Sequence, residues 1–237
     1  MTMSPRFPAL IAAAVAALLV AAPAEAQRAG TRIGRNASAR DAPAAMQLVA
    51  DCLAARRADM VTRVLHTLPG SREEGAILVA QEPDIGVCME SDMLVLDGKS
   101  LRFSARAIRT PMAYALLRRM PGGVPSKKPA LAAAEPWFLA PFNALPAGSM
   151  VSKDHLNLLD FGHCVALAQW AGTRQLLAAA PDSLQEKAAI TSLTPVLGGC
   201  LVEGMTVSIT PRVLRDALAE PVYHLLADTP RQTAAAK

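Results

Sequence analysis

Residues 52–88 read CLAARRADMVTRVLHTLPGSREEGAILVAQEPDIGVC, and residues 164–200 read CVALAQWAGTRQLLAAAPDSLQEKAAITSLTPVLGGC. Laid over each other without a gap, they share ten identities in 37 columns. Both cysteines match, as do Pro69 with Pro181, Ser71 with Ser183, Glu74 with Glu186, Pro83 with Pro195 and Gly86 with Gly198. Such residues start, stop and staple elements, so their alignment points to an internal duplication. The match resumes after a length difference of six residues. GKSLRFSARAIR from Gly98 then aligns with GMTVSITPRVLR from Gly204, pairing Arg106 with Arg212 and Arg109 with Arg215. The copies run over 47–119 and 157–227, too few for a solenoid.

The punctuation predicts local structure. Ser71-Arg-Glu-Glu74 and Ser183-Leu-Gln-Glu186 are capping boxes, each opening a helix expected to stop near Pro83 or Pro195. Ahead of the first box, Val61, Val64, Leu65 and Leu68 mark an apolar helical face, echoed by Leu176, Leu177 and Ala180. Beyond the second cysteine, MLVLDGKSLRF reads as a small hairpin around Asp97-Gly98, with VEGMTVSI as its counterpart. Ser104 and Thr210 are placed to cap a last helix, and Pro211 suits its first position. The expected fold is mainly α, with two pseudo-symmetric helical units, each holding a small strand pair and one disulfide.

The N-terminus belongs to a different argument. Arg6, the apolar run from Ala9 to Ala22 and the small residues Ala24 and Ala26 have the layout of a secretory signal peptide over 1–26. That run is shorter than the roughly 20 residues a spanning helix needs, and no later stretch approaches that length. The mature chain is therefore expected in the periplasm or outside the cell, without a transmembrane segment. An exported chain meets oxidising conditions, so Cys52, Cys88, Cys164 and Cys200 are read as disulfides. Four cysteines allow three pairings. The duplication favours 52–88 and 164–200, each tying the start of a helix to the turn after the next; a Cys52–Cys164 bond would defeat independent units.

Residues 27–46 carry arginines and no acid until Asp41, and read as a basic, disordered arm; 228–237 read as a tail. Removing 1–26 takes one base and one acid from the chain's 24 and 20, and this modest excess does not argue for nucleic acid. Between the copies, 120–156 read as a linker rich in Pro, Gly and Ala. It nonetheless holds Trp137, Phe138 and Phe142. These either complete the core between the units or dock on a partner or lipid surface.

Catalytic motifs are missing from the sequence. There is no G-x-S-x-G elbow, H-E-x-x-H, P-loop or dinucleotide glycine pattern. No C-x-x-C and no short-spaced ligand cluster is present, so neither cofactor nor metal is implied. The densest polar set, KDHLNLLDFGHC, offers Asp154, His155, Asp160 and His163, which could serve a hydrolase or metal-dependent enzyme. Arg106 with Arg109, and Arg212 with Arg215, share helical faces. Brought together they would clamp a small anionic ligand in bidentate forks; kept apart, each copy would close an ion pair with Glu74 or Glu186.

The alanine-rich leader, PGSREE, PDSLQE, CLVEG and LRDALAEPVYHLL resemble a group of exported, uncharacterised alphaproteobacterial proteins. The resemblance covers most of the mature chain. It implies export and a disulfide-stapled helical fold, and carries no activity, cofactor or catalytic residue. The expectation is a non-enzymatic binding or interaction module of the cell envelope, with an envelope component, a protein or a small anion as its partner.

Overall fold

The computed structural model describes residues 41–90, 105–129, 135–201, 204 and 208–228. Their elements are α1 (Asp41–Arg56), α2 (Ala58–Leu65), α3 (Arg72–Ala80), α4 (Glu82–Glu90), α5 (Ala105–Arg119), α6 (Leu139–Asn143), α7 (Lys153–Ala168), α8 (Trp170–Ala178), α9 (Leu184–Leu197), a 3₁₀ turn (Gly198–Cys200) and α10 (Pro211–Ala227). Among the described residues the fold is helical, without strands. The expected hairpin at 93–103 lies outside them. Of its counterpart, Gly204, Ser208 and Ile209 are described and none forms a strand. No helix among them is long and apolar enough to cross a membrane.

Both cysteine pairs are bonded as their equal spacing favours, Cys52 to Cys88 and Cys164 to Cys200, each with Cα atoms 5.6 Å apart. Such bonds belong to an oxidising compartment rather than the cytosol. Their places in the helices differ from expectation. Cys52 lies near the end of α1, which already begins at Asp41 inside the segment read as the arm; Pro43 is tolerated in its first turn, where amides have no intrahelical acceptor. The first disulfide therefore joins α1 to α4, and the second joins α7, at the corresponding place near its end, to the 3₁₀ turn.

Local detail recurs at matched positions. Arg57 breaks α1 from α2 with φ −140° and ψ 51°, and Gln169, 112 residues on, breaks α7 from α8 with φ −140° and ψ 69°. Ser71 accepts from the Glu74 amide at 3.2 Å and Ser183 from the Glu186 amide at 3.1 Å. The glutamates reach one residue further back than an ordinary capping box, to the amides of Gly70 at 2.6 Å and Asp182 at 2.7 Å. Both of these residues are left-handed, Gly70 at φ 77° and Asp182 at φ 60°. Thr210 caps α10 through the Val213 amide, with Pro211 first in the helix.

Pro83 and Pro195 act differently. The capped helix α3 ends at Ala80, and Pro83 sits in the first turn of α4, where its missing N–H costs nothing. Helix α9 runs through Pro195 and stops two residues later, so that proline lies inside the helix it was expected to end.

The helices bury one continuous apolar core, with α5 packed on both α1 and α10, and α10 on α7. The α7–α10 crossing is tight: a Cβ on Gly162 would lie 1.9 Å from the Ala217 carbonyl oxygen. Pro221 lacks the N–H that would otherwise occupy that carbonyl. A second cluster unites Leu68, Phe138, Leu156 and Leu159, with Trp137 and Phe142 packed on it. The Ser152 amide fastens the end of the proline-rich segment to the Pro69 carbonyl at 3.1 Å.

Candidate functional site

The last turn of α2 presents carbonyls that no further helical turn can satisfy. Arg109, from α5, is fully buried beneath it and donates to the carbonyls of Val64 at 2.9 Å, Leu65 at 2.7 Å and Thr67 at 2.8 Å. Its remaining donors meet Glu74 at 2.9 Å and both oxygens of Glu220 at 2.8 and 2.9 Å. A guanidinium has five N–H groups, and here all are engaged within the protein.

Two buried carboxylates against one guanidinium leave a negative excess. Burial works against the Arg109 charge, and Glu220 and Glu74 more than offset it, raising its pKa. Burial works against ionised Glu220 too, but the Arg109 charge and hydrogen bonds hold its carboxyl at about 2. His155 Nε2 stands 3.8 Å from Glu220 Oε2, too far for a hydrogen bond.

Arg109, Arg212 and Arg215 do not gather into a clamp. Arg106 lies in the first turn of α5. Arg215 donates to Glu186 at 2.6 Å and to the Ala179 carbonyl at 2.8 Å, while Arg212 lies at the surface 3.6 Å from Asp216. Arg109 with Glu74 and Arg215 with Glu186 are the ion pairs weighed from the sequence, joining the cap of α3 to α5 and the cap of α9 to α10. Arg109 alone gains a second acid, from α10.

His155 and His163 are both buried in α7, eight residues apart. That is about 12 Å along a helix, so the two histidines do not converge, and Asp160 is a helical neighbour of His163 alone. Trp137, Phe138 and Phe142 face the fold. The Trp137 ring stacks on His224 with centroids 4.2 Å apart and lies 5.6 Å from the Arg109 guanidinium carbon; Phe138 is buried.

The polar set that opens to solvent is one the sequence reading missed. His66 caps the C-terminus of α2, and His224 and Asp228 stand four apart at the end of α10. Their ligand-type atoms all lie within 4.8 Å of one another, with His66 and Asp228 exposed and His224 buried. His66 Nε2 is 3.2 Å from Asp228 Oδ1, and His224 Nδ1 is 2.7 Å from Oδ2. The other ring nitrogens rest on α2, Nδ1 of His66 at 2.8 Å from the Thr62 carbonyl and Nε2 of His224 at 3.0 Å from the Leu65 carbonyl. The Leu65 oxygen thus serves both His224 and Arg109, linking the surface trio to the buried ion network. A spacing of four on one helix pairs His224 with Asp228 in sequence; nothing local connects them to His66.

Comparison of the chain with protein-family models, curated proteins and solved structures found no match.

Proposed function

We propose that this chain is a periplasmic or secreted, non-enzymatic binding module of the cell envelope, one of the exported alphaproteobacterial proteins it resembles, and that it takes its ligand where α2 meets α10. The observation carrying this reading is the trio of His66, His224 and Asp228. Two members are open to solvent, and the third is held from beneath by the Leu65 carbonyl and the Trp137 ring. Polar groups fixed in orientation before a ligand arrives lose little entropy on binding. Arg109 and Arg215, the alternative locus for a small anion, are engaged inside the fold.

The same reading treats 47–119 and 157–227 as pseudo-symmetric copies, with a strand pair at 93–103 in the first. Supporting it are the equal disulfide separations of 36, the matched breaks at Arg57 and Gln169, and the left-handed Gly70 and Asp182.

The test is a native mass spectrum of the chain expressed with its leader and recovered from the exported fraction. The expected species starts at Gln27, is four hydrogens lighter than its reduced form, and carries an added mass that H66A and D228A both lose. Retention in the cytosol with free thiols, or an added mass indifferent to both substitutions, overturns the reading.

A further inference from the structure

We infer that His66, His224 and Asp228 form a binding site for a single divalent transition-metal ion of the zinc type. The argument begins with the protons on the two imidazoles. Thr62 and Leu65 offer carbonyl oxygens, which accept only, so Nδ1 of His66 and Nε2 of His224 must be the donors. In neutral rings the opposite nitrogens are then bare lone pairs. Both are directed at Asp228, at 3.2 and 2.7 Å from its two oxygens. With both rings neutral, three acceptors converge with no donor among them.

The cation between such groups is either a ring proton shared with Asp228 or a metal ion, and the exposure of His66 and Asp228 gives an ion access to the set. One divalent ion satisfies two lone pairs and the carboxylate together. Zinc bonds of about 2.0–2.1 Å in tetrahedral geometry put ligand atoms roughly 3.3 Å apart. Two edges of the trio are already near that spacing, and the whole set lies within 4.8 Å.

The surroundings are those of a metal site. Metal-bound histidines donate their second N–H to a carbonyl or carboxylate, which fixes ring orientation and raises ligand basicity. Both rings do so here, and Trp137 stacks on His224 with the planes 20° apart. Two imidazoles select zinc, copper or nickel over magnesium and calcium, which take oxygen. Three protein ligands leave a fourth position, open to solvent because the His66 and Asp228 side chains are 45% and 40% exposed. A donor group of an external ligand can complete it. For the biological role of the ion, this inference rests on the binding-module reading.

The experiment uses the untagged, oxidised mature chain, stripped with a chelator and dialysed, then titrated with Co²⁺ under visible absorption and back-titrated with Zn²⁺. One Co²⁺ per chain is expected, with the intense bands of a four-coordinate site, displaced by one Zn²⁺. H66A and D228A, at exposed positions, keep the helical circular dichroism and weaken both metals by at least the roughly 10–100-fold typical of outer-shell changes. Absence of saturable one-to-one binding, or equal affinity in wild type and both folded variants, overturns the site. An exported-fraction ligand mass that stays on metal-stripped protein yet is lost in H66A and D228A overturns the metal and leaves the binding module standing. One-to-one metal binding with no further ligand leaves the site standing and overturns the module.

Discussion

Arg109 of α5 and Glu220 of α10, 111 residues apart in the chain, meet fully buried, with the arginine Nε 2.8 and 2.9 Å from the two carboxylate oxygens. The pair joins α5 to α10 and anchors the guanidinium that caps α2. Removing Arg109 strands Glu74 and Glu220 in a dry interior, and breaking a buried pair in this way typically costs about 3–5 kcal/mol. R109M is expected to lower unfolding stability by about that much in urea titration, and E220Q by less, because Arg109 keeps Glu74. R109K should not restore it, because an ammonium cannot cap the α2 carbonyls and meet both carboxylates in the same fork. An R109M protein within about 1 kcal/mol of wild type would remove the network's structural role.

Each disulfide constrains a loop of 36 residues. In the chain-entropy model this contributes about 3–4 kcal/mol per bond. The double variants C52S/C88S and C164S/C200S should each lose stability on that scale, measured by denaturant unfolding without reductant. Equal unfolding midpoints with and without either bond would contradict the assignment of a stapling role to it.

The Glu186–Arg215 pair sets an acid dependence. Burial opposes the Glu186 charge, but the hydrogen bond from Arg215, the Asp182 amide and the Arg215 charge outweigh it and hold the carboxyl below its ordinary 4.5. A depressed folded-state pKa gives stability that is complete above the unfolded value and is lost as pH falls through the folded one. Wild-type stability should therefore decline on acidification below about pH 5, and R215A should flatten part of that decline while lowering stability at neutral pH. Parallel pH profiles of unfolding free energy for the two proteins would refute it.

Gly162 faces the Ala217 carbonyl at the α7–α10 crossing, where an added Cβ would lie 1.9 Å from the oxygen. Backbone has to yield, so G162A should destabilise by about 1–3 kcal/mol or more despite alanine's better helix propensity. G86A, with nothing within 4 Å of the added Cβ, is the control and should be neutral or slightly stabilising. Thermal unfolding of the two variants side by side decides the point; similar melting temperatures would mean the helices are not in close contact.

Local chemistry made much of this protein readable in its sequence. Serine caps, the proline at the start of α10 and the helical stretches depend on neighbours within a turn or two, so residue type and spacing suffice. The cysteine pairing was readable for a different reason: 52–88 and 164–200 share one spacing, with matching prolines, serines and glutamates between them. Helix ends were less legible, because Pro83 and Pro195 meet different packing and one opens a helix while the other rides inside one.

Tertiary structure alone decided the rest. Glu220 gives no sign in the sequence that it faces Arg109, since its partner arrives from another helix and burial strengthens the contact. The His66–His224–Asp228 set likewise spans 162 residues, from His66 to Asp228. Its geometry exists because the end of α2 leaves carbonyls unsatisfied, and α5 and α10 come to satisfy them with Arg109 and His224. Sequence periodicity specifies which face of a helix is buried; which distant side chains meet across that face is set by packing.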